Sequence, residues 1–204
     1  MFVKIFIPIL LSFAITAVLG PILIPFLRKL KVGQTEREEL ESHQVKTGTP
    51  TMGGIMILIA VSVTSVIFLR DYPRIIPILF LTVGFGIIGF LDDYLKVVLR
   101  RPDGLLAWQK MLLQIVVTSI FAYYLLHYTD VSLAMLIPFS GGKYLDLGWL
   151  AVPFLYIVVI GTVNGVNFTD GLDGLASSVT VLVAVFFTVV AVGMNSGIEP
   201  ITCA

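Results

Sequence analysis

Cysteine and histidine are nearly absent from this sequence of 204 residues, and their scarcity excludes several kinds of site. Cys203 is the single cysteine, so an internal disulfide cannot form and a C-x-x-C metal or redox motif is excluded. The two histidines, His43 and His127, are too few and too far apart in sequence for a histidine-based metal cluster. Neither disulfide, thiol-redox nor histidine–metal chemistry is therefore expected.

Charged residues are also scarce, which indicates the class of protein. They make up 13% of the chain, against about 25% in soluble domains, whereas hydrophobic residues make up 57%. The formal net charge is zero and no basic tract is long, so we expect no nucleic-acid partner. This composition predicts a polytopic membrane protein that lies in a lipid bilayer.

Six apolar stretches come close to the roughly 20 residues that a membrane-spanning helix needs. They cover residues 2–27, 52–69, 75–91, 111–128, 149–166 and 175–194. We therefore predict an all-α polytopic helical bundle that forms a single membrane domain. The first stretch is too long for a signal-peptide core and lacks a small-residue cleavage site, so we interpret it as a retained span. Residues 129–148, with Gly141-Gly142, suit a hairpin or an irregular excursion.

The distribution of basic residues predicts the orientation. Loop 28–50 carries five Lys or Arg residues and loop 92–110 carries four, which together are nine of the thirteen in the chain. The positive-inside rule places both loops in the cytoplasm and the N-terminus outside. Alternation of the spans then brings three polar segments, 46–51, 92–110 and 164–173, to the cytoplasmic face. We expect the active site there.

The aspartate pair at the end of the third span is the strongest chemical signal. Asp92 and Asp93 follow a long apolar run, and Lys96 lies one helical turn later. An aspartate at the bilayer centre costs roughly 2.5–3.5 kcal/mol even on the lenient insertion scale, so a pair retained at the boundary suggests a use. The alternative is that the pair ends a hydrophobic helix in water, with Lys96 as its ion-pair partner.

Polar residues at a spacing of three follow the fifth span. Asn164, Asn167, Asp170 and Asp173 would share one helix face, and neighbouring glycines allow a close approach to a ligand. Such oxygen-rich side chains suit Mg²⁺ or a nucleotide whose phosphates the cation bridges. The alternative is a polar loop with Asx turns. This inventory of carboxylates and lysines at a membrane surface indicates phosphoryl transfer.

Two further groups have an equally plain structural explanation. Segment 43–54 carries Lys46, hydroxyls and glycines, which suit a phosphate or sugar but also suit a helix cap and tight helix packing. Lys110 and Gln114 lie four apart at the start of the fourth span. They either snorkel to the membrane surface or face the bundle and bind phosphate.

Three segments, taken together, resemble the polyprenyl-phosphate N-acetylhexosamine-1-phosphate transferases, and within them the phospho-N-acetylmuramoyl-pentapeptide transferase branch. The matching segments read Ser42-His-Gln-x-Lys46-x-Gly48-Thr49-Pro50-Thr51-Met52-Gly53-Gly54, Leu91-Asp92-Asp93-Tyr94-x-Lys96 and Asn167-x-x-Asp170-Gly171-Leu172-Asp173-Gly174. The resemblance covers essentially the whole chain. It implies transfer of phospho-MurNAc-pentapeptide from UDP-MurNAc-pentapeptide to undecaprenyl phosphate, with Mg²⁺, giving lipid I and UMP at the bacterial cytoplasmic (inner) membrane.

The resemblance also implies roles for particular residues. Asp93, with Asp92, would activate or orient the lipid phosphate, and Asp170 is a third catalytic candidate. The implied substrate-binding residues are Lys96 and Lys110 for phosphate, Lys46, Gly171, Leu172 and Asp173 for uridine, and Thr51, Asn167 and Asp170 near the sugar and pyrophosphate. Asn167 is also the candidate metal ligand. Whether an aspartate of the pair attacks covalently or acts as a base stays open, and we favour the base.

The family's chain continues beyond residue 204 with more helices, a further metal-binding aspartate and a histidine-rich loop. We therefore expect residues 1–204 to be an N-terminal portion that is inactive alone, with a further metal ligand beyond residue 204. A homodimer is an expectation from the family only. The alternatives are the GlcNAc-1-phosphate transferase branch, against which segment 49–54 stands, and a secondary transporter. A transporter would place its polar groups near the bilayer midplane.

Overall fold

The computed structural model describes residues 2–31, 52–99, 101, 103–129, 132–137, 140, 142–170 and 174–195. Within those residues the chain forms six α-helices and one two-stranded antiparallel sheet. The helices are α1 (Phe2–Lys31), α2 (Gly54–Ile67), α3 (Ile75–Val97), α4 (Ala107–Tyr128), α5 (Ala151–Thr169) and α6 (Leu175–Asn195), and the strands are β1 (Ala134–Leu136) and β2 (Tyr144–Asp146). The predicted all-α polytopic membrane bundle is confirmed; the predicted orientation stays a prediction.

Among the described residues, five helices are long and apolar enough to cross a membrane, and α2 is not one of them. We predicted a span over 52–69, whereas α2 has 14 residues, or about 21 Å at 1.5 Å per residue. Its start is limited because Met52 has a left-handed φ of +67°, which a helix cannot contain. Its end is limited because the N–H groups of Asp71 and Tyr72 both donate to the carbonyl oxygen of Phe68, which turns the chain.

The third and fourth helices are longer than predicted toward the loop that joins them. α3 continues six residues beyond residue 91 to Val97, so the aspartate pair lies inside its last turns. α4 begins at Ala107 rather than at residue 111. Its start is capped because the side chain of Gln109 accepts a hydrogen bond of 3.1 Å from the backbone N–H of Leu106. The connecting segment is therefore short, and it runs between two well-defined helix ends.

The structure divides into two compact units, Met1–Phe121 and Ala122–Ala204. In the first unit, small residues bring helices close together. A Cβ added at Gly84 would lie 2.8 Å from Cγ1 of Val117 in α4, and one added at Gly86 would lie 2.6 Å from Cδ1 of Leu58 in α2. Such close packing of helix backbones is the usual means of association inside a membrane. It positions α3 against both neighbours.

The second unit contains the sheet, α5 and α6. The strands pair in antiparallel register with Met135 opposite Leu145, so of the two alternatives for 129–148, a hairpin or an irregular excursion, the structure shows the paired strands of a hairpin. The described side chains of α6 are almost all exposed in the chain as it stands, and they are mostly aliphatic or aromatic. Such a surface suits contact with lipid or with other apolar helices. That the two units form a single membrane domain stays a prediction.

Candidate active site

The aspartate pair lies in the last two turns of α3, and its two members have different surroundings. Successive helical residues point about 100° apart, so Asp92 and Asp93 occupy different faces. Asp92 is 7% exposed, whereas Asp93 is half-buried. The two carboxylates are therefore not equivalent, although the sequence presents them as one pair.

Two hydrogen-bond donors and a second ammonium group surround the buried carboxylate of Asp92. The ammonium group of Lys96, one turn further along α3, donates a hydrogen bond of 2.9 Å to Oδ2. The backbone N–H of Leu105 donates a hydrogen bond of 2.8 Å to Oδ1. From the first turn of α4, the Nζ atom of Lys110 lies 3.7 Å from Oδ2 and forms a second ion pair. One carboxylate thus links α3, α4 and the segment between them.

This arrangement bears on the second of the two explanations that we gave for the pair, a helix end in water. That the pair has a functional use stays a prediction. The alternative explanation made Lys96 an ion-pair partner in water, and the predicted partnership is present. Asp92, however, is buried, and a buried charge is costly unless it is paired and hydrogen-bonded. Asp92 satisfies that condition through contacts 13 residues away, at Leu105, and 18 residues away, at Lys110. The carboxylate is therefore a built part of the unit rather than a solvated helix end.

The lysines retain access to the surroundings. The side chain of Lys96 is 42% exposed and that of Lys110 is 21% exposed, against 11% for Asp92. Two ammonium groups therefore share one buried carboxylate while their side chains stay partly exposed. Charge-assisted hydrogen bonds from such groups are strong, and phosphate oxygens are suitable acceptors. The cluster can therefore bind an anionic phosphate beside Asp93.

The part of α4 that belongs to the first unit has a buried polar face. Gln114 is 1% exposed and Thr118 is fully buried, and the Thr118 hydroxyl donates a hydrogen bond of 2.7 Å to the carbonyl oxygen of Gln114. Of the two explanations for Lys110 and Gln114, snorkelling is therefore wrong for Gln114. Lys110 lies on the same face, one turn before it, and its charge is directed to Asp92.

The segment that joins α3 to α4 contributes donors that we did not predict. Besides the N–H of Leu105, its course depends on the N–H of Arg101, which donates a hydrogen bond of 3.0 Å to the carbonyl oxygen of Leu95. A signal for this segment was present, because Asp103-Gly104 is a typical turn dipeptide. Neither periodicity nor residue chemistry could indicate that a backbone amide there reaches Asp92.

The polar residues after the fifth span lie at the end of α5, in the second unit. Asn164 is half-buried, and its amide donates a hydrogen bond of 2.9 Å to the carbonyl oxygen of Ile160 within the same helix. Asn167 is exposed in the last turn, and Asp170 is exposed at the residue that ends the helix. Of the residues that recur at every third position, Asn167 and Asp170 therefore place an amide and a carboxylate at the end of α5.

Several predicted site residues cannot be placed. Lys46, Thr51, Gly171, Leu172 and Asp173 lie outside the residues that the structure describes. Their predicted roles, and the meeting of the three polar segments on one membrane face, stay predictions.

Magnesium was expected, and the described residues fit its donor chemistry in kind. Mg²⁺ takes oxygen ligands, often one or two protein carboxylates together with substrate phosphates. Asn167 and Asp170 offer exposed oxygens at the end of α5. Among the described residues, no three His, Cys, Asp or Glu side chains gather closely enough to hold a metal on their own. That Mg²⁺ binds here stays a prediction.

Comparison with known proteins identifies the family. Residues 75–203 match the glycosyl transferase family 4. The chain is 52% identical over 184 residues to a phospho-N-acetylmuramoyl-pentapeptide-transferase of Acetivibrio thermocellus, covering 89% of this chain and 55% of that protein. The chain is also 45% identical to the enzyme of the same name from Caldicellulosiruptor bescii and 44% identical to that from Bacillus subtilis. Each alignment covers 90% of this chain and 57% of the relative.

These findings confirm the resemblance to that transferase branch. The chain spans a little over half the length of the curated relatives it matches. The family match includes the aspartate pair, Lys96, Lys110 and the polar end of α5. The chain therefore belongs to the glycosyl transferase family 4.

Proposed function

We propose that the protein carries out the phospho-N-acetylmuramoyl-pentapeptide transferase reaction. It would transfer phospho-MurNAc-pentapeptide from UDP-MurNAc-pentapeptide to undecaprenyl phosphate, with lipid I and UMP as products. The observation that carries the proposal is the Asp92–Lys96–Lys110 cluster at the end of an apolar helix, in a chain of this family. A phosphate that is tethered to a lipid lies at the membrane surface, where ammonium groups at the end of a membrane helix can form charge-assisted hydrogen bonds with it.

The reaction is a displacement at phosphorus. A phosphate oxygen of undecaprenyl phosphate forms a bond to the phosphorus that bears the sugar. The bond from that phosphorus to the bridging oxygen breaks, and UMP leaves with the electron pair. Positioning and neutralisation of charge supply most of the catalysis in reactions of this type.

The residues of the first unit have separate tasks in this reaction. Lys96 and Lys110 bind phosphate oxygens with their ammonium groups, and both side chains are partly exposed. Asp92 holds both lysines and does not itself react. Asp93, on the neighbouring face of α3, orients the lipid phosphate and accepts its proton when that phosphate is monoprotonated. In this proposal the lipid phosphate attacks directly, and Asp93 acts as a base rather than as a covalent nucleophile.

The remaining predicted residues complete the proposal. Asn167 and Asp170 would hold Mg²⁺ and the pyrophosphate, and the cation would neutralise charge on the phosphates. The proposed uridine contacts are Lys46, Gly171, Leu172 and Asp173, with Thr51 near the sugar. We further propose that the protein works in the bacterial cytoplasmic membrane, where its lipid substrate is dissolved, and as a homodimer.

The test is UMP release by the protein expressed from its complete reading frame and purified in detergent. Mg²⁺ and undecaprenyl phosphate are present, and UDP-MurNAc-pentapeptide or UDP-GlcNAc is supplied in parallel. The expected result is release with the muramoyl nucleotide alone, and none when undecaprenyl phosphate is omitted. Release with UDP-GlcNAc alone would move the protein to the sister branch. Release with neither nucleotide, together with uptake of a labelled substrate into vesicles, would indicate a transporter instead.

A further inference from the structure

The segment between α3 and α4 passes very close to Asp92 at one residue, Gly104. Its backbone has a φ of +58°, in the left-handed region that favours glycine. A Cβ added there would overlap Oδ1 of Asp92, would lie 2.6 Å from Cε of Lys96 and would lie 3.1 Å from the carbonyl oxygen of Asp92. Real Cβ atoms essentially never come closer than 3.0 Å to a heavy atom outside their own residue and its chain neighbours. Any side chain would therefore displace the groups that form the cluster.

Hydrogen bonds hold the segment in this position from both ends. The N–H of Gly104 donates a hydrogen bond of 3.1 Å to the carbonyl oxygen of Arg101. The next residue, Leu105, donates its N–H to Oδ1 of Asp92, and Leu106 is tied to the start of α4 through Gln109. The segment cannot simply move outward, because the Leu105 contact requires the same close approach.

We propose that Gly104 is a positioning residue for the transferase reaction. Because Gly104 lacks a side chain, the backbone of 103–106 reaches Asp92, fixes its carboxylate through Leu105 and thereby sets where Lys96 and Lys110 present their charges. This inference rests on the proposed function. It adds a residue that carries no reactive group and that touches no substrate in our account.

The chain offers a matched control for backbone strain. Gly148 has a φ of +50°, close to that of Gly104, but a Cβ added there would meet nothing within 4 Å. Asparagine tolerates the left-handed region better than alanine does, yet it carries a Cβ. Asparagine therefore relieves strain at both positions while it keeps the overlap at position 104 alone.

The experiment measures the kcat of UMP release for alanine and asparagine variants at both positions. We expect Gly104→Ala and Gly104→Asn each to lower kcat on the order of 10- to 100-fold, the scale of a misplacement of about 1 Å in an active site. Gly148→Ala and Gly148→Asn should both stay near the wild-type rate. A Gly104→Asn variant with near-normal kcat would overturn the proposal, because backbone strain alone would then explain the glycine.

Thermal unfolding provides a second readout that does not depend on activity. If the overlap with Asp92 is the cause, Gly104→Ala should lower Tm less in an Asp92→Ala background than in the wild type. Equal falls in the two backgrounds would refute the contact. If the wild-type protein releases UMP with neither nucleotide, the proposed function is wrong. The Tm changes caused by Gly104→Ala in the wild-type and Asp92→Ala backgrounds still show whether Gly104 allows the close contact with Asp92.

Discussion

Replacing Asp92 with asparagine tests whether one carboxylate holds the two lysines. Asn has nearly the same shape, so the hydrogen bond from Leu105 can persist as a neutral one, while both ion pairs lose their negative partner. A hydrogen bond to a charged group contributes about 1.5–3 kcal/mol. The lower end applies to Lys96 because its side chain is 42% exposed and therefore screened by solvent. The longer Lys110 contact adds about 0.5 kcal/mol, on the scale of an exposed pair.

The expected loss for Asp92→Asn is therefore about 2 kcal/mol, or a fall in Tm of about 4–8 °C for a chain of this size. The measurement is thermal unfolding in detergent, followed by tryptophan fluorescence at low and at high salt. Asp71→Asn is the matched control, because Asp71 is exposed in the turn before α3 and makes the same charge change. Equal Tm values for the two variants would refute the conclusion that Asp92 is a structural centre of the cluster.

Three further predictions concern other parts of the chain. Gly84→Ala should destabilise the protein by about 1–3 kcal/mol relative to Gly89→Ala. The new methyl group at position 84 meets the stiff Val117 side chain, whereas a methyl group at position 89 meets nothing within 4 Å. Equal Tm values for the two variants would contradict this packing. Lys110→Ala should lower kcat/KM for UMP release about 10- to 100-fold, because a charge-assisted hydrogen bond to phosphate is lost. The control is Lys143→Ala, at an exposed position in the hairpin, which should leave kcat/KM unchanged. An unchanged kcat/KM for Lys110→Ala would exclude Lys110 from the phosphate site. Asn167→Ala should raise the Mg²⁺ concentration that gives the half-maximal rate roughly 10-fold. The control is Asp146→Asn, at an exposed position, which should leave that concentration unchanged. An unchanged Mg²⁺ concentration for Asn167→Ala would exclude Asn167 as a ligand.

The sequence was sufficient for the fold class, because membrane spans depend on composition over about 20 residues and little else. It was insufficient for the length of α2. Hydropathy continues through residues 52–69, but the helix ends are set by the φ of Met52 and by the turn at Phe68, which are properties of the local backbone. A hydropathy count does not contain that information.

For the candidate site, residue types were predictable and their partners only in part. The Asp92–Lys96 pair follows from helical spacing, since residues four apart share a face. The burial of Asp92 does not follow, because it depends on Leu105 and Lys110 beyond the end of α3. Helical periodicity does not predict that the segment after α3 folds back and contacts Asp92 in α3. The Asp103-Gly104 dipeptide marked a turn but could not identify what the turn touches.

The most direct test of the account is the turnover of Asp93→Asn, measured as UMP release from UDP-MurNAc-pentapeptide by the protein expressed from its complete reading frame. Asp71→Asn, which also removes one aspartate charge near α3, serves as the control. If the end of α3 carries the transferase chemistry, Asp93→Asn should lower kcat by about 10²- to 10⁴-fold, the usual contribution of a positioned base, while Asp71→Asn stays near the wild-type rate. A near-normal rate for Asp93→Asn would contradict the assignment of the site to this aspartate pair.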